Sequence, residues 1–406
     1  MLILEIVIAL LAALLLLEFL LQLLVNRVRD DFQWLITRKR DFVPELDPKG
    51  LDKFMADGFD AELGWIRKPN TEHAEYGRFG KTAWHTNSIG ARLNPGHEDL
   101  PIRISCFGDS FTFCRQVNDN ETWEYYLSEL TRTNVLNWGV GNHGIDQSFL
   151  RLKREQPRHP AETIIVGVVP DTISRILSVW KHFYEYGNTF GFKPRFFLKD
   201  DSLTLVDNPI NERQKFYQIE SYLDELRKND FFYENKFIKE IISFPYLYSV
   251  FKNPVRNIPL LYWNIMAILC KNPDKYHALG KQKIMDINLE WRLKLYKQPD
   301  IVDLLKHIIL DMADYACGKG SNFIVALLPQ KDDIIQIKKH GHFYQPMLDQ
   351  LKEQVLVVDL ADELLEISDI DEYYSDDSIY GGHFSRIGNE LVARRLLETL
   401  KNNHYI

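Results

Sequence analysis

Apolar side chains are distributed along this chain in two distinct ways. From Ile6 to Val25 they run almost unbroken (IVIALLAALLLLEFLLQLLV), interrupted by Glu18 and Gln22. Twenty helical residues span roughly 30 Å, the thickness of a bilayer core. Fifteen of the twenty are Leu, Ile, Val or Phe, worth roughly 6 kcal/mol toward insertion at about 0.4 kcal/mol each, against at most about 3 kcal/mol for the one Glu. The pattern therefore predicts a transmembrane helix over 1–25. A cleaved signal peptide fits poorly, because no Lys or Arg precedes the apolar run and no small-residue cleavage site follows it. Arg27, Arg29, Arg38, Lys39 and Arg40 follow the run, and by the positive-inside rule they place the rest of the chain on the cytoplasmic side, with an extracytoplasmic body as the alternative.

Beyond residue 100 the apolar positions instead come in short runs alternating with helical periodicity. Strands are expected at Ile102–Phe107, Val135–Trp138, Thr163–Val169, Phe323–Leu328 and Val355–Leu360. Helices are expected at Glu121–Leu130, Gln147–Arg154, Ile301–Ala316 and Ile387–Leu400. Alternating strands and helices imply an α/β domain around a parallel sheet covered on both faces, with ligands bound beyond the carboxyl ends of the strands. Residues 26–100 lack a long periodic stretch and read as a juxtamembrane extension. Residues 201–300 break the rhythm with aromatic and basic side chains and read as a helical insertion between the two parts of the domain, 101–200 and 301–406. That insertion mixes Phe244, Tyr246, Phe251 and Tyr262 with Lys239, Lys252 and Arg256. It suits a membrane–water interface, a lid, a contact with a membrane partner, or a subdomain with its own core.

Composition narrows the function. The chain has 406 residues, 45% of them hydrophobic, and a net charge of −8, which excludes a disordered chain and a general nucleic-acid binder. Its four cysteines show no CxxC spacing, and His340 and His342 have no companion ligands at zinc-site spacing. Neither a disulfide scaffold nor a bound metal is expected, and no cofactor motif is present: Gly318-Lys319-Gly320-Ser321 lacks P-loop spacing.

Three segments carry candidate chemistry. Gly108-Asp109-Ser110-Phe111-Thr112 follows the first strand, so Ser110 falls at the carboxyl edge of the sheet, where a serine acts as a nucleophile if a base reaches it. Gly381-Gly382-His383 precedes the last helix and offers that base in a loop. Between them, Asn137-Trp138-Gly139-Val140-Gly141-Asn142-His143-Gly144 follows the second strand, with glycines that allow backbone N–H groups to face a reaction centre. Asp171 and Arg175 are either a substrate contact or an i,i+4 ion pair. Trp180–Phe197 holds eight aromatic residues in eighteen, and Trp180 within it suits sugar stacking or plain aromatic packing.

In order and context the three segments resemble the SGNH (GDSL) hydrolase superfamily, over about 100–180 and 300–400. The resemblance implies a three-layer α/β fold. It makes Ser110 the nucleophile and His383 the general base, with the oxyanion held by the N–H groups of Ser110, Gly141 and Asn142. Asp109 and His143 become substrate-binding candidates. The chain departs from the family at two places. Pro170 stands where the family has an oxyanion asparagine, a change that typically costs about 10²–10³ in rate. Tyr380 and Gly381 stand where an aspartate usually precedes the histidine, leaving Asp376, Asp377 or Asp359 to orient the imidazole. The implied activity is that of a serine esterase or O-acyltransferase on acyl esters of a cell-envelope glycan, with lipid esters or a catalytically degenerate glycan-binding or assembly component as alternatives.

Overall fold

The computed structural model describes residues 2–29, 32, 35, 42–77, 79–375 and 382–406. Five parallel strands form one sheet: β1 (Ile102–Phe107), β2 (Asn134–Asn137), β3 (Thr163–Val168), β4 (Asn322–Leu327) and β5 (Leu356–Asp359), in spatial order β5-β4-β3-β1-β2. The β-branched run of β3 is buried at every position, as a central strand covered on both faces requires. It pairs with β4 from Thr163–Asn322 to Val168–Leu327 and with β1 from Ile104–Thr163 to Phe107–Val166.

From β1 the chain steps outward to β2 and then back past β1 to β3. Right-handed crossovers in these opposite directions put their helices on opposite faces. The first crossover carries α2 (Trp123–Thr131), and the C-terminal α8 (Arg386–Asn402) packs beside it. The second carries α3 (Ile145–Glu155), against which α6 (Pro299–Gly318) packs. This is the three-layer α/β sandwich expected from the sequence. The reversal leaves the carboxyl ends of β1 and β3 side by side at the point where the chain changes direction, the usual position for a site in such sheets.

Two compact units share the chain. The sheet unit comprises Asp52–Leu177, Lys193–Asn211 and Leu289–Ile406. Much of the segment expected as a juxtamembrane extension belongs to it, as two antiparallel hairpins, Phe59–Asp60 with Gly64–Trp65 and Glu72–Gly77 with Gly80–His85. A third hairpin joins Arg195–Lys199 to Ser202–Val206 through Asp200 and Asp201, with φ of 49° and 55°. Positive φ at both turn residues is the two-residue connection that matches strand twist. The expected boundary between 200 and 201 therefore falls inside a hairpin.

The second unit comprises Met1–Leu51, Ser178–Phe192 and Glu212–Asn288. It holds α1 (Leu2–Val28), which is long and apolar enough to cross a membrane. It also holds α4 (Tyr246–Lys252) and α5 (Pro254–Leu269) of the helical insertion. Its core joins Val25, Val28, Phe32 and Leu35 to Ile242, Tyr246, Val250, Leu260, Leu261 and Ile284. The Glu18 carboxylate accepts the backbone N–H groups of Tyr246 and of Leu247 (2.8 Å for the latter), capping α4 from α1.

Candidate active site

The turn that carries Ser110 is fixed by close packing. A Cβ on Gly108 would lie 2.6 Å from the Gly167 carbonyl oxygen and 2.1 Å from Thr112 Oγ1, and a Cβ on Gly167 would meet the same Thr112 oxygen at 2.1 Å. Two bare glycines thus allow the turn after β1 to seat directly on β3. Asp109 Oδ1 accepts the N–H of Phe111 (2.9 Å), and the Asp109 carbonyl accepts that of Phe113 (2.8 Å). Ser110 is left pointing away from this turn.

His383 arrives from the loop before α8. That helix is capped by Ser385, whose Oγ accepts the Gly388 N–H at 3.3 Å. The Ser375 N–H donates to the His383 carbonyl (2.7 Å), and the Phe111 ring lies 5.0 Å from the imidazole. The outcome is a Ser110 Oγ to His383 Nε2 distance of 2.9 Å across 273 residues of sequence, with both side chains more than nine-tenths buried. With the ring proton on Nδ1, this geometry lets the serine hydroxyl donate to Nε2, the arrangement of a nucleophile with its base.

Of the carboxylates expected to orient the imidazole, Asp376 and Asp377 lie outside the described residues. Asp359 ends β5, three strand spacings or about 14 Å from β1. Its Oδ1 accepts the Tyr344 hydroxyl (3.3 Å) and the Ala361 N–H (3.0 Å), and burial raises its pKa to about 6. The structure does not bring Asp359 to His383.

The loop after β2 faces the serine. A Cβ on Gly141 would stand 4.0 Å from Ser110 Cβ. Asn142 has φ 65°, a left-handed backbone that glycine adopts freely and asparagine tolerates among the other residues. Among the described residues, the N–H groups of Ser110, Gly141 and Asn142 have no acceptor, which leaves three donors for an oxyanion. His143 is turned away: 1% exposed, it donates Nε2–H to the Trp65 carbonyl (2.7 Å), and desolvation holds its pKa well below the usual range, so it is neutral.

Asp171 and Arg175 form the i,i+4 ion pair (3.0 Å), but within a longer buried series of alternating charge. Arg175 also bonds Asp109 Oδ2 and the His143 carbonyl (3.1 Å). Arg292 bonds Asp171 (3.2 Å) and Asp333, whose Oδ2 accepts the Gln330 N–H (2.9 Å). The five side chains Asp109, Arg175, Asp171, Arg292 and Asp333 thus connect the residue beside the nucleophile to the start of α7 (Lys331–His340). All are buried, and through Asp109 they support the turn that carries Ser110. Trp180, read from the sequence as suited to sugar stacking or plain aromatic packing, is fully buried in the other unit, between His182 (4.7 Å) and Phe192 (4.9 Å).

Three residues of the site's surround carry no signal in the sequence. Trp65 donates its indole N–H to the Gly141 carbonyl (3.0 Å) while its own carbonyl accepts from His143, gripping the oxyanion loop at both ends. Arg92, 2% exposed, donates to the carbonyls of Cys114 (2.6 Å) and Val117 (2.7 Å), fixing the chain beyond the nucleophile. Arg67 lies with its guanidinium 4.7 Å above the Trp84 ring, and its Nη2 is 3.7 Å from the Cβ position of Gly141.

No protein-family model and no curated protein matches this chain. Solved structures do. A G-D-S-L family lipolytic protein from Desulfitobacterium hafniense DCB-2 is 12% identical, over 73% of this chain and 99% of that one, with a TM-score of 0.33. The lipase/acylhydrolase from Enterococcus faecalis is 11% identical, over 74% and 96%, with a TM-score of 0.34. A catalytic mutant of an acetylxylan esterase from Geobacillus stearothermophilus is 10% identical, over 75% and 95%, with a TM-score of 0.33. These are likenesses of fold at low identity.

Proposed function

We propose that this chain is a membrane-anchored serine esterase or O-acyltransferase of the SGNH type. The observation that carries the reading is the buried contact of 2.9 Å between Ser110 Oγ and His383 Nε2, beside three N–H groups without acceptors among the described residues. His383 takes the hydroxyl proton as Oγ attacks an acyl carbonyl, and the N–H groups of Ser110, Gly141 and Asn142 hold the resulting oxyanion. Collapse expels the alcohol, which receives the proton from His383, and leaves acyl-Ser110. Water or a sugar hydroxyl, deprotonated by the same imidazole, then takes the acyl group. The substrate class is O-acyl esters of a cell-envelope glycan or its precursor, by resemblance to membrane-tethered members of the superfamily.

The anchor is α1, which presents its apolar surface over Leu2–Leu17 without burial in the protein. The basic residues that follow favour a cytoplasmic body, and a reporter fused to the C-terminus tests that orientation. A fluorophosphonate probe tests the chemistry: it should label the wild type and fail to label Ser110→Ala. A wild type that is folded yet unlabelled defeats the enzyme reading in favour of a non-catalytic glycan-binding component.

A further inference from the structure

We infer that α4 and α5 enter the bilayer beside α1 as a helical hairpin seated in the edge of one leaflet. The inference rests on reading α1 as a bilayer-spanning helix. Only one stripe of α1 is covered, by Glu18, Leu21, Leu24, Val25 and Val28, and the two insertion helices pack there. A twenty-residue span ending at Val25 puts Glu18 about 10 Å inside the hydrocarbon at 1.5 Å per residue. A carboxylate at that depth is costly, and this one meets the two N–H groups that open α4. Whatever Glu18 caps is carried to the same depth. The side chains that the two helices leave bare fit it: Tyr248 and Phe251, three apart on α4, and Val255, Ile258 and Tyr262, three and four apart on α5, are all between 45% and 66% exposed. In water such a stripe is an uncovered apolar patch. Its continuity with the bare surface of α1 assigns the covering to lipid, with Lys252 and Lys271, both exposed, ending the two helices where phosphate headgroups lie.

Spin labels in the full-length protein in nanodiscs test this, with Cys270 and Cys317 replaced by serine and single cysteines at Leu11→Cys, Phe251→Cys, Val255→Cys and Leu130→Cys. Labels at 11, 251 and 255 should be relaxed by oxygen and shielded from a water-soluble nickel chelate, with 130 the reverse. Lipid exposure at 11 with nickel access at 251 and 255 overturns the hairpin and leaves the anchor standing. Shielding of 251 and 255 from both reagents means that protein covers them, and also overturns it. Nickel access at 11 removes the anchor itself.

A separate observation concerns Arg67. We propose that its guanidinium stabilises the oxyanion formed at Ser110, together with the N–H groups of Ser110 and Gly141. The Cβ position of Gly141 is a gap bordered by Arg67 Nη2 at 3.7 Å and Ser110 Cβ at 4.0 Å, which a side chain on residue 141 would fill. Among the described residues Arg67 makes no ion pair. Its Nε is buried without a partner, and the nearby Glu75 is engaged by Arg115 (2.7 Å). Desolvation, and after it the neighbouring Arg115, lowers its pKa against an opposing pull from Glu75, the balance of a buried cation whose nearby carboxylate is bonded to another arginine. Pro170, beyond the end of β3, has no side-chain donor to offer instead. When Ser110 Oγ bonds to the acyl carbon, the carbonyl electron pair moves to oxygen as the hydroxyl proton passes to His383. This new negative charge exists only in the tetrahedral state, so its attraction to Arg67 lowers the barrier rather than the ground state.

The proposal rests on Ser110 as nucleophile, and hydrolysis of 4-nitrophenyl acetate by the wild type checks that first. With an active wild type, Arg67→Gln should lower kcat about 100-fold with KM within threefold and thermal unfolding little changed. Added guanidinium ion should restore part of the activity of Arg67→Ala. Undiminished kcat in Arg67→Gln, or a loss in Arg67→Ala that guanidinium leaves untouched in a folded protein, overturns it. An inactive wild type instead sinks the esterase reading.

Discussion

Replacing Arg175 by methionine tests the buried charges behind Ser110. Arg175 and Asp109 side chains are 8% and 4% exposed, and the same guanidinium serves Asp171 and the His143 carbonyl. Removing one partner of a buried pair leaves the other charge uncompensated and typically costs 3–5 kcal/mol. Here Asp109 loses its cation while Asp171 keeps Arg292 (3.2 Å), so the expected loss is in the middle of that range, about 4 kcal/mol. A domain's whole stability is only about 5–15 kcal/mol, so the variant should be close to unfolding at 37 °C. Asp109→Asn added to Arg175→Met removes one stranded charge, and its amide oxygen still accepts the Phe111 N–H now held at 2.9 Å. The double variant should therefore recover about 2 kcal/mol. Urea unfolding of wild type, single and double variants provides the cycle. A single variant losing under about 1 kcal/mol, or a double variant no more stable than the single, refutes the claim that these charges act as one buried series.

Other outcomes follow from the same geometry. Trp65→Phe keeps the ring against His143 but removes the 3.0 Å bond to Gly141. About 1 kcal/mol of loop positioning should vanish, seen as a several-fold lower kcat at constant KM, and unchanged kcat would show that the loop holds itself. Asp359→Asn probes pH dependence. Burial raises its pKa from 3.8 to about 6, so the fold favours the protonated acid; stability is undiminished below pH 4 and falls as pH rises through 4 to 6. The shift corresponds to about 3 kcal/mol as an upper bound. Asparagine should thus stabilise the protein at pH 8 and make little difference at pH 4, and the opposite ordering in denaturation at the two pH values would contradict the burial argument.

The sheet was legible because its strands are short β-branched runs separated by helical periods. Thr163–Val168 could hardly be anything but a central strand, and the observed limits of all five strands lie within about a residue of those expected. Ser110 and His383 were legible because each sits in a local glycine-bearing turn. What escaped depends on contacts across the chain. Trp65 meets Gly141 over 76 residues and Arg175 meets Asp109 over 66, and neither contact leaves a local period. Arg67 and Arg92 stand in a stretch with no helical or strand rhythm, where burial of a guanidinium is invisible until the fold collects carbonyls and aromatic rings around it. Glu18 and Gln22, four apart on one face, suit a helix–helix contact, but the partner of Glu18, a helix N-terminus 228 residues away, leaves no local sign.

The 273 residues between Ser110 and His383 also set an order in time. At about 5–20 residues per second, roughly 14–55 s of translation separate the appearance of the hydroxyl from that of its proton acceptor. A nascent or prematurely released chain already carrying Ser110 has no imidazole beside it. The Ser110–His383 contact thus forms only after residue 383 has been made, and a ribosome stalled before that point holds a chain with the hydroxyl and without its partner imidazole.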